Sequence, residues 1–323
     1  MTLLSVENLH VRFGALHPID GVSFSIEQGE ILGVVGESGS GKSITALTIL
    51  GLLHLQGGEV DSGRILFNGI DLLRLVERER CSYRGKQIAF ISRNPMTSLD
   101  PLFCVGDQIA QGLVIHLGKS WFEARARAIE LMRDLRIPNP EVVYDQFPHQ
   151  LSGGLKQRIA IAIALSAEPR LIVADEPTTA LDVTVQAQVL HLLHRMTRTR
   201  GIGLILITHD MGVVAQICDR MIVMYAGTIV EAGKVEEVFT GPRHPYTRAL
   251  INCIPRVETQ PGALMAIPGI VPNVTDYPPG CRFHPRCPRA LPCCSILPPR
   301  TVECGDEVSV ACHLYDPSDW TLS

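Results

Sequence analysis

The sequence predicts an α/β fold, a mostly parallel sheet covered by helices on both faces, and three observations predict it. Short apolar runs recur at residues 31–35, 87–91, 171–174 and 204–207, each of strand length and bounded by glycine or polar residues. Stretches rich in helix formers separate them. The first run ends on a glycine-rich loop, Gly36-Glu37-Ser38-Gly39-Ser40-Gly41-Lys42-Ser43, that leads into a helix. Strands connected through helices lie parallel and are buried on both faces, so they read as continuous apolar runs.

Taken in order, residues 3–7 and 22–26 read as strands, with Gln28-Gly29-Glu30 as the turn into the strand at 31–35. Residues 43–53 carry helix formers, and residues 87–91 form another buried strand. From about residue 101 to 150 the pattern is helical and polar, most strongly at 121–136, where Ala124, Ala126, Ala128, Leu131 and Leu135 stand. The insert at about 100–165 therefore reads as a helical subdomain. Strands return at 171–174, 204–207, 221–224 and 228–231, and no repeat or low-complexity tract is present. After about residue 235, thirteen prolines from Pro242 to Pro299, Pro255 and Pro261 among them, interrupt any long element. The chain thus divides into residues 1–235 and a loop-rich unit at 236–323, too poor in apolar periodicity to rely on a core alone; some other staple is expected there.

With 46% hydrophobic and 19% charged residues, the chain is no disordered protein. A net charge of -4 argues against nucleic acid as a partner, which is usually met by a basic surface. No apolar run approaches the roughly 18–20 residues of a membrane span, and Met1-Thr2-Leu3-Leu4 lacks the basic start of a signal peptide. A cytoplasmic protein is expected, with any membrane role exercised through a partner.

Gly36-x4-Gly41-Lys42-Ser43 fits a phosphate loop in its strand–loop–helix setting. Gly36, Ser38, Gly39 and Gly41 let backbone N–H groups converge on the phosphates of ATP, and the helix start adds its positive dipole end. Lys42 neutralises phosphate charge and Ser43 offers a hydroxyl to Mg²⁺. Asp175 ends an apolar strand, where a carboxylate is costly unless paired or metal-bound, and is the Mg²⁺ carboxylate, direct or through water. Glu176 follows as the general base for the attacking water. His209, after the strand at 204–207, stands at the carboxyl end of its strand, where parallel sheets gather their chemistry.

These residues, with Leu151-Ser152-Gly153-Gly154 and the Ala180-Leu181-Asp182 turn, stand in the order of an ABC-transporter ATP-binding subunit. More narrowly, Pro148-His149-Gln150-Leu151-Ser152-Gly153-Gly154 and Arg243-His244-Pro245-Tyr246-Thr247 resemble the dipeptide/oligopeptide permease branch. The resemblance implies a P-loop ABC ATPase core, a RecA-like sheet plus an antiparallel β subdomain. It implies a head-to-tail dimer with a second ABC ATPase, commonly a different one, in which Ser152, Gly153 and Gly154 meet the ATP held by the partner. It further implies Asp182 near the nucleotide, Phe13 stacked on adenine or else a core residue, and two transmembrane permease subunits gripped by the helical insert. An extracytoplasmic substrate-binding protein completes such a complex, and the chain's place is peripheral, on the cytoplasmic face of the inner membrane. A soluble ABC-type ATPase acting on nucleic acid or ribosomes is the alternative. One position departs from the family: Ser92-Arg93-Asn94-Pro95 stands where Phe-Gln is expected before Pro. The absent glutamine normally contacts Mg²⁺ and the lytic water, so slow hydrolysis in this chain's own pocket is expected.

Six of the ten cysteines crowd the tail, which in a chain without a secretion signal favours a metal or cluster over disulfides. Cys281, Cys287, Cys294 and Cys312 resemble the cluster region of dipeptide-permease ATPases, which can hold a 4Fe–4S cluster on four thiolates. Zn²⁺ or unligated thiols are the alternatives, and Cys293 and Cys304 the alternative ligands.

Overall fold

A computed structural model describes residues 1–179, 181–254, 267–305 and 307–316. Ala180, Pro255 and Pro261 lie outside the described residues. The chain packs into two compact units, one of Leu4–Ser25, Leu32–Asp71 and Ile207–Ser323, the other of Met1–Leu3, Ile26–Ile31 and Leu72–Leu206.

The first unit opens with two long strands, β1 (Thr2–Phe13) and β2 (Leu16–Glu27), where the sequence reading found only two short ones. The shortfall has a physical cause. Pairing of β1 shifts register between Glu7 and Val11, with Asn8 at φ +46°, so apolar alternation lapses in mid-strand. β3 (Ile31–Val35) is buried along its whole length, as its unbroken apolar run requires. β4 (Glu59–Phe67) and β5 (Ile70–Asp71) complete an antiparallel sheet in the order β2-β1-β4-β5.

In the second unit β6 (Ile88–Ile91) pairs parallel with β7 (Leu171–Asp175), and β8 (Gly203–Thr208), most of which belongs here, lies beside β7. The helical insert comprises Val105–Leu117, Trp121–Asp134 and Gly153–Ser166, packed on one another. The helix Trp121–Asp134 starts at a capping box, Ser120 and Glu123 each holding the other's backbone N–H. Ala124, Ala128, Leu131 and Met132 form its buried stripe, whereas Ala126 faces out, as a 3.6-residue period demands.

The chain then returns to the first unit. β9 (Arg220–Tyr225) runs parallel to β3 and antiparallel to β10 (Thr228–Lys234). The tail adds β11 (Thr301–Glu303) and β12 (Ser309–Ala311), β12 pairing antiparallel with β10. Three-residue strands carry almost no periodic signal, so the sequence could not reveal them. Phe283 packs edge-on to Tyr225 with centroids 5.2 Å apart and lies 5.3 Å from Tyr246. Phe283 of the proline-rich tail thus lies in one buried cluster with Val35, Val223 and Val238, and residues on both sides of position 235 share a unit.

Candidate functional site

The phosphate loop is built as its glycines require. Gly36 has φ +152°, and a Cβ there would lie 2.2 Å from the Met224 carbonyl oxygen. Gly41 caps the helix Lys42–Ile49 at φ +102°, and its Cβ would meet Ile19 Cδ1 at 2.5 Å. No acidic residue stands in that helix's first turn, so its positive end is uncompensated. Lys42 Nζ donates to the carbonyls of Gly36 (2.8 Å) and Glu37 (2.9 Å) and to Ser40 Oγ (3.2 Å), holding the ammonium inside the loop. Ser38, Gly39 and Ser43 are exposed on its open side. His209 is exposed at the end of β8, beside Asp210, whose carboxylate accepts the N–H groups of Gly212 and Val213 and starts the next helix. Phe13 is half-buried with its ring edge against Gly58, a packing role that leaves part of the ring open.

The second unit carries the remaining residues that the sequence singles out. Asp175 closes β7 and is half-buried. Glu176 follows at φ +46°, a conformation that non-glycine residues adopt at a cost and that concentrates at functional sites. Its Oε2 accepts from the Thr179 hydroxyl at 2.8 Å and lies 3.1 Å from Arg93 Nε. The Glu176 side chain is 11% exposed and that of Arg93 60%, so Arg93 reaches the carboxylate from the solvent side. Ser152 is the N-cap of the helix Gly153–Ser166, its hydroxyl accepting from the Leu155 N–H at 3.4 Å. Ser152 and Gly153 are exposed, presenting the helix N-terminus outward. A Cβ on Gly154 would lie 2.8 Å from Val185 Cγ1. Asp182 caps the helix Val183–Arg200, accepting from the Val185 N–H at 2.9 Å.

In the tail, Cys281, Cys287, Cys294 and Cys312 converge, each of the six pairs among them sensing the partner's charge. Burial pushes the Cys281 thiol up to about 12 and the Cys312 thiol up to about 11, and raises Cys287 and Cys294. A backbone N–H points at every one of these sulfurs, from Phe283, Arg289, Leu291 and Leu314 in turn. Cys294 and Cys312 are buried, and Cys281 and Cys287 are partly buried. Cys304 is not among them. Cys293 instead joins Cys294 and His313, whose ligand atoms lie within 4.8 Å of one another. His313 Nε2 donates to the Leu297 carbonyl at 2.8 Å, the second contact that orients a ligating imidazole. Among the described residues, that trio brings its ligand atoms close enough to hold one metal ion.

Sequence reasoning missed Glu37, whose partners Tyr246 and Arg286 lie 209 and 249 residues away; no local pattern signals such pairs.

A strand, a glycine loop closed by a buried lysine, and an acidic pair at a strand end define a phosphate-loop ATPase. Residues 19–179 match the ABC transporter family, and residues 230–294 match the oligopeptide/dipeptide transporter C-terminal region. The chain is 44% identical to the oligopeptide transport ATP-binding protein AppD of Bacillus subtilis, over 98% of this chain and 97% of that protein. It is also 44% identical to the dipeptide transport ATP-binding protein DppD of Escherichia coli, over 97% of each. Among solved structures, cbiO1 of Clostridium perfringens, part of an ABC transporter complex, superposes with a TM-score of 0.66 at 29% identity, covering 74% of this chain and 91% of that one. The ATP-binding cassette MJ0796, dimeric and bound to ADP and Pi, gives 0.63 at 27% identity, covering 72% and 98%. The chain belongs to the ATP-binding subunits of ABC transporters and is an ATPase of that type. The reading as a nucleic-acid or ribosomal ATPase finds no support in these matches. Among the described residues, no helix is long and apolar enough to cross a membrane.

Proposed function

We propose that this chain drives the uptake of di- or oligopeptides, as the peripheral ATPase of an importer on the cytoplasmic face of the inner membrane. Full-length likeness to relatives named for oligopeptide and dipeptide transport carries this reading. Residues 1–235 are the ATP-binding portion and 236–323 the C-terminal region, in line with the two family matches.

In this reading loop amides, the helix Lys42–Ile49 and the Lys42 ammonium take the triphosphate. Ser43 and Asp175 hold Mg²⁺, which neutralises phosphate charge. Glu176 accepts the proton of the attacking water, and His209 contacts the γ-phosphate. Exposed Ser152 and Gly153, with Gly154, bind the ATP of a second, different ABC subunit. Apolar Met96, Leu102 and Phe103 are exposed, 57–78% of their surface open to solvent, and suit short helices of two permease subunits. Cargo is selected by those permeases and an extracytoplasmic binding protein.

Two finer readings belong here. Arg93 engages one oxygen of the Glu176 carboxylate and draws on its basicity, so this pocket binds ATP and hydrolyses it slowly. The four converging thiols support a 4Fe–4S cluster as the staple of the tail, with the Cys293–Cys294–His313 group as the zinc alternative.

The test of the main reading is uptake of labelled di- and tetrapeptides into vesicles bearing the whole complex and its binding protein. ATP-dependent uptake that Lys42→Ala abolishes is expected. Hydrolysis in the assembled complex that neither responds to peptides nor moves them would contradict it.

A further inference from the structure

Glu37 is the second residue of the phosphate loop, where a free carboxylate would repel the triphosphate that the loop amides attract. The C-terminal region removes that charge. Arg286 Nη1 lies 2.8 Å from Glu37 Oε2 and Nη2 3.1 Å from Oε1, a two-pronged contact with one carboxylate. The Arg286 side chain is 5% exposed and that of Glu37 30%. The fork is held in place from behind: Nε donates to the Pro268 carbonyl at 2.8 Å and Nη1 to the Tyr225 hydroxyl at 3.3 Å. Buried Tyr246 meanwhile accepts the Glu37 N–H on its hydroxyl at 2.9 Å. Both the backbone and the charge of Glu37 are therefore fixed by residues beyond 225, all within one compact unit. A planar guanidinium with its other donors already engaged loses little freedom when it grips a carboxylate.

We infer that Arg286 is a positioning residue of the nucleotide site: it cancels the Glu37 charge and holds the phosphate loop in the form that accepts ATP. The C-terminal region thereby contributes to nucleotide binding from a turn whose next residue is Cys287. A loop that depends on this grip weakens its hold on ATP when the tail is altered, even with residues 36–43 untouched. The inference rests on the reading of 36–43 as the ATP loop.

The test is titration of the full-length chain, and of variants checked for folding by circular dichroism, with a fluorescent ATP analogue. Arg286→Met leaves a half-buried, unpaired carboxylate beside the phosphates and is expected to weaken binding about tenfold or more. Glu37→Gln removes the charge that repels the triphosphate but leaves the Arg286 guanidinium without its carboxylate, so it serves as the reference for the double variant. The double variant is expected to bind within about threefold of Glu37→Gln alone, recovering what Arg286→Met loses. Arg286→Met binding as tightly as the unaltered chain would overturn the inference. So would a double variant no better than Arg286→Met, which would make the arginine a support for the tail alone. Should Arg286→Met fail to fold, Arg286→Lys decides: it keeps the charge and loses the fork, and an unchanged affinity overturns the inference. No binding by the unaltered chain would instead overturn the phosphate-loop reading, and this inference with it.

Discussion

His244 explains why the Arg243-His244-Pro245-Tyr246 segment has the residues it has. Its Nδ1 accepts the Tyr246 N–H at 3.0 Å, which requires a neutral ring, and full burial pushes the imidazole down to about 3. Buried Glu231 accepts the N–H groups of Arg243 and His244 at 2.8 and 2.9 Å, fixing the segment from the other side. Pro245 then starts the helix that brings Tyr246 to Glu37. The ordinary histidine value is 6.5, so between about 6.5 and 3 the unfolded chain binds more protons than the folded one. Stability is therefore expected to fall as pH drops below about 6.5, by at most about 1.4 kcal/mol per pH unit. Glu231 acts with the opposite sign: burial raises its carboxyl, and the stability this gives is lost as pH rises through that raised value. Thermal midpoints of wild type and His244→Asn between pH 5 and 7.5 separate the two. Asparagine can still accept the Tyr246 N–H but cannot ionise, so the variant should lose the acid-side fall. Equal slopes would contradict the assignment.

At the scale of elements, the cysteine-bearing turns are the clearest test of how the tail is held. The proposed 4Fe–4S cluster predicts iron and sulfide in anaerobically purified protein and their loss in Cys281→Ser. Cys293→Ser should keep them. Zinc retained by Cys281→Ser and lost by Cys293→Ser would instead favour the Cys293–Cys294–His313 site. The elements differ in how far the sequence disclosed them. The phosphate loop, β3 and β7 were plain, because steric need for glycine and burial on both faces leave local marks. The strand β1 was only half visible, since the register shift near Asn8 breaks period-two alternation. The tail strands β11 and β12 were invisible at three residues each. Among site residues, Ser152 and Asp182 were read for their place by the nucleotide, while each also serves as a helix cap. The role of Arg286 depends on a residue 249 positions away and had no signal.

For the whole molecule, the reading is a division of labour between two ATP pockets. The helix start at Ser152-Gly153 is exposed, as the proposed partner contact requires, while Arg93 stands 3.1 Å from Glu176, the proposed general base. The Arg93 side chain is 60% exposed, and an ion pair made from the solvent side contributes little to stability, about 1 kcal/mol or less, so the arginine can be replaced without endangering the fold. Its effect belongs to the chemistry: it engages a Glu176 oxygen and supplies no amide for Mg²⁺ and water. The most direct measurement is single-turnover ATP hydrolysis by the assembled complex, with the partner's pocket disabled, comparing this chain with its Arg93→Gln variant. The account predicts acceleration of about tenfold or more with ATP affinity little changed. Equal rates would contradict it.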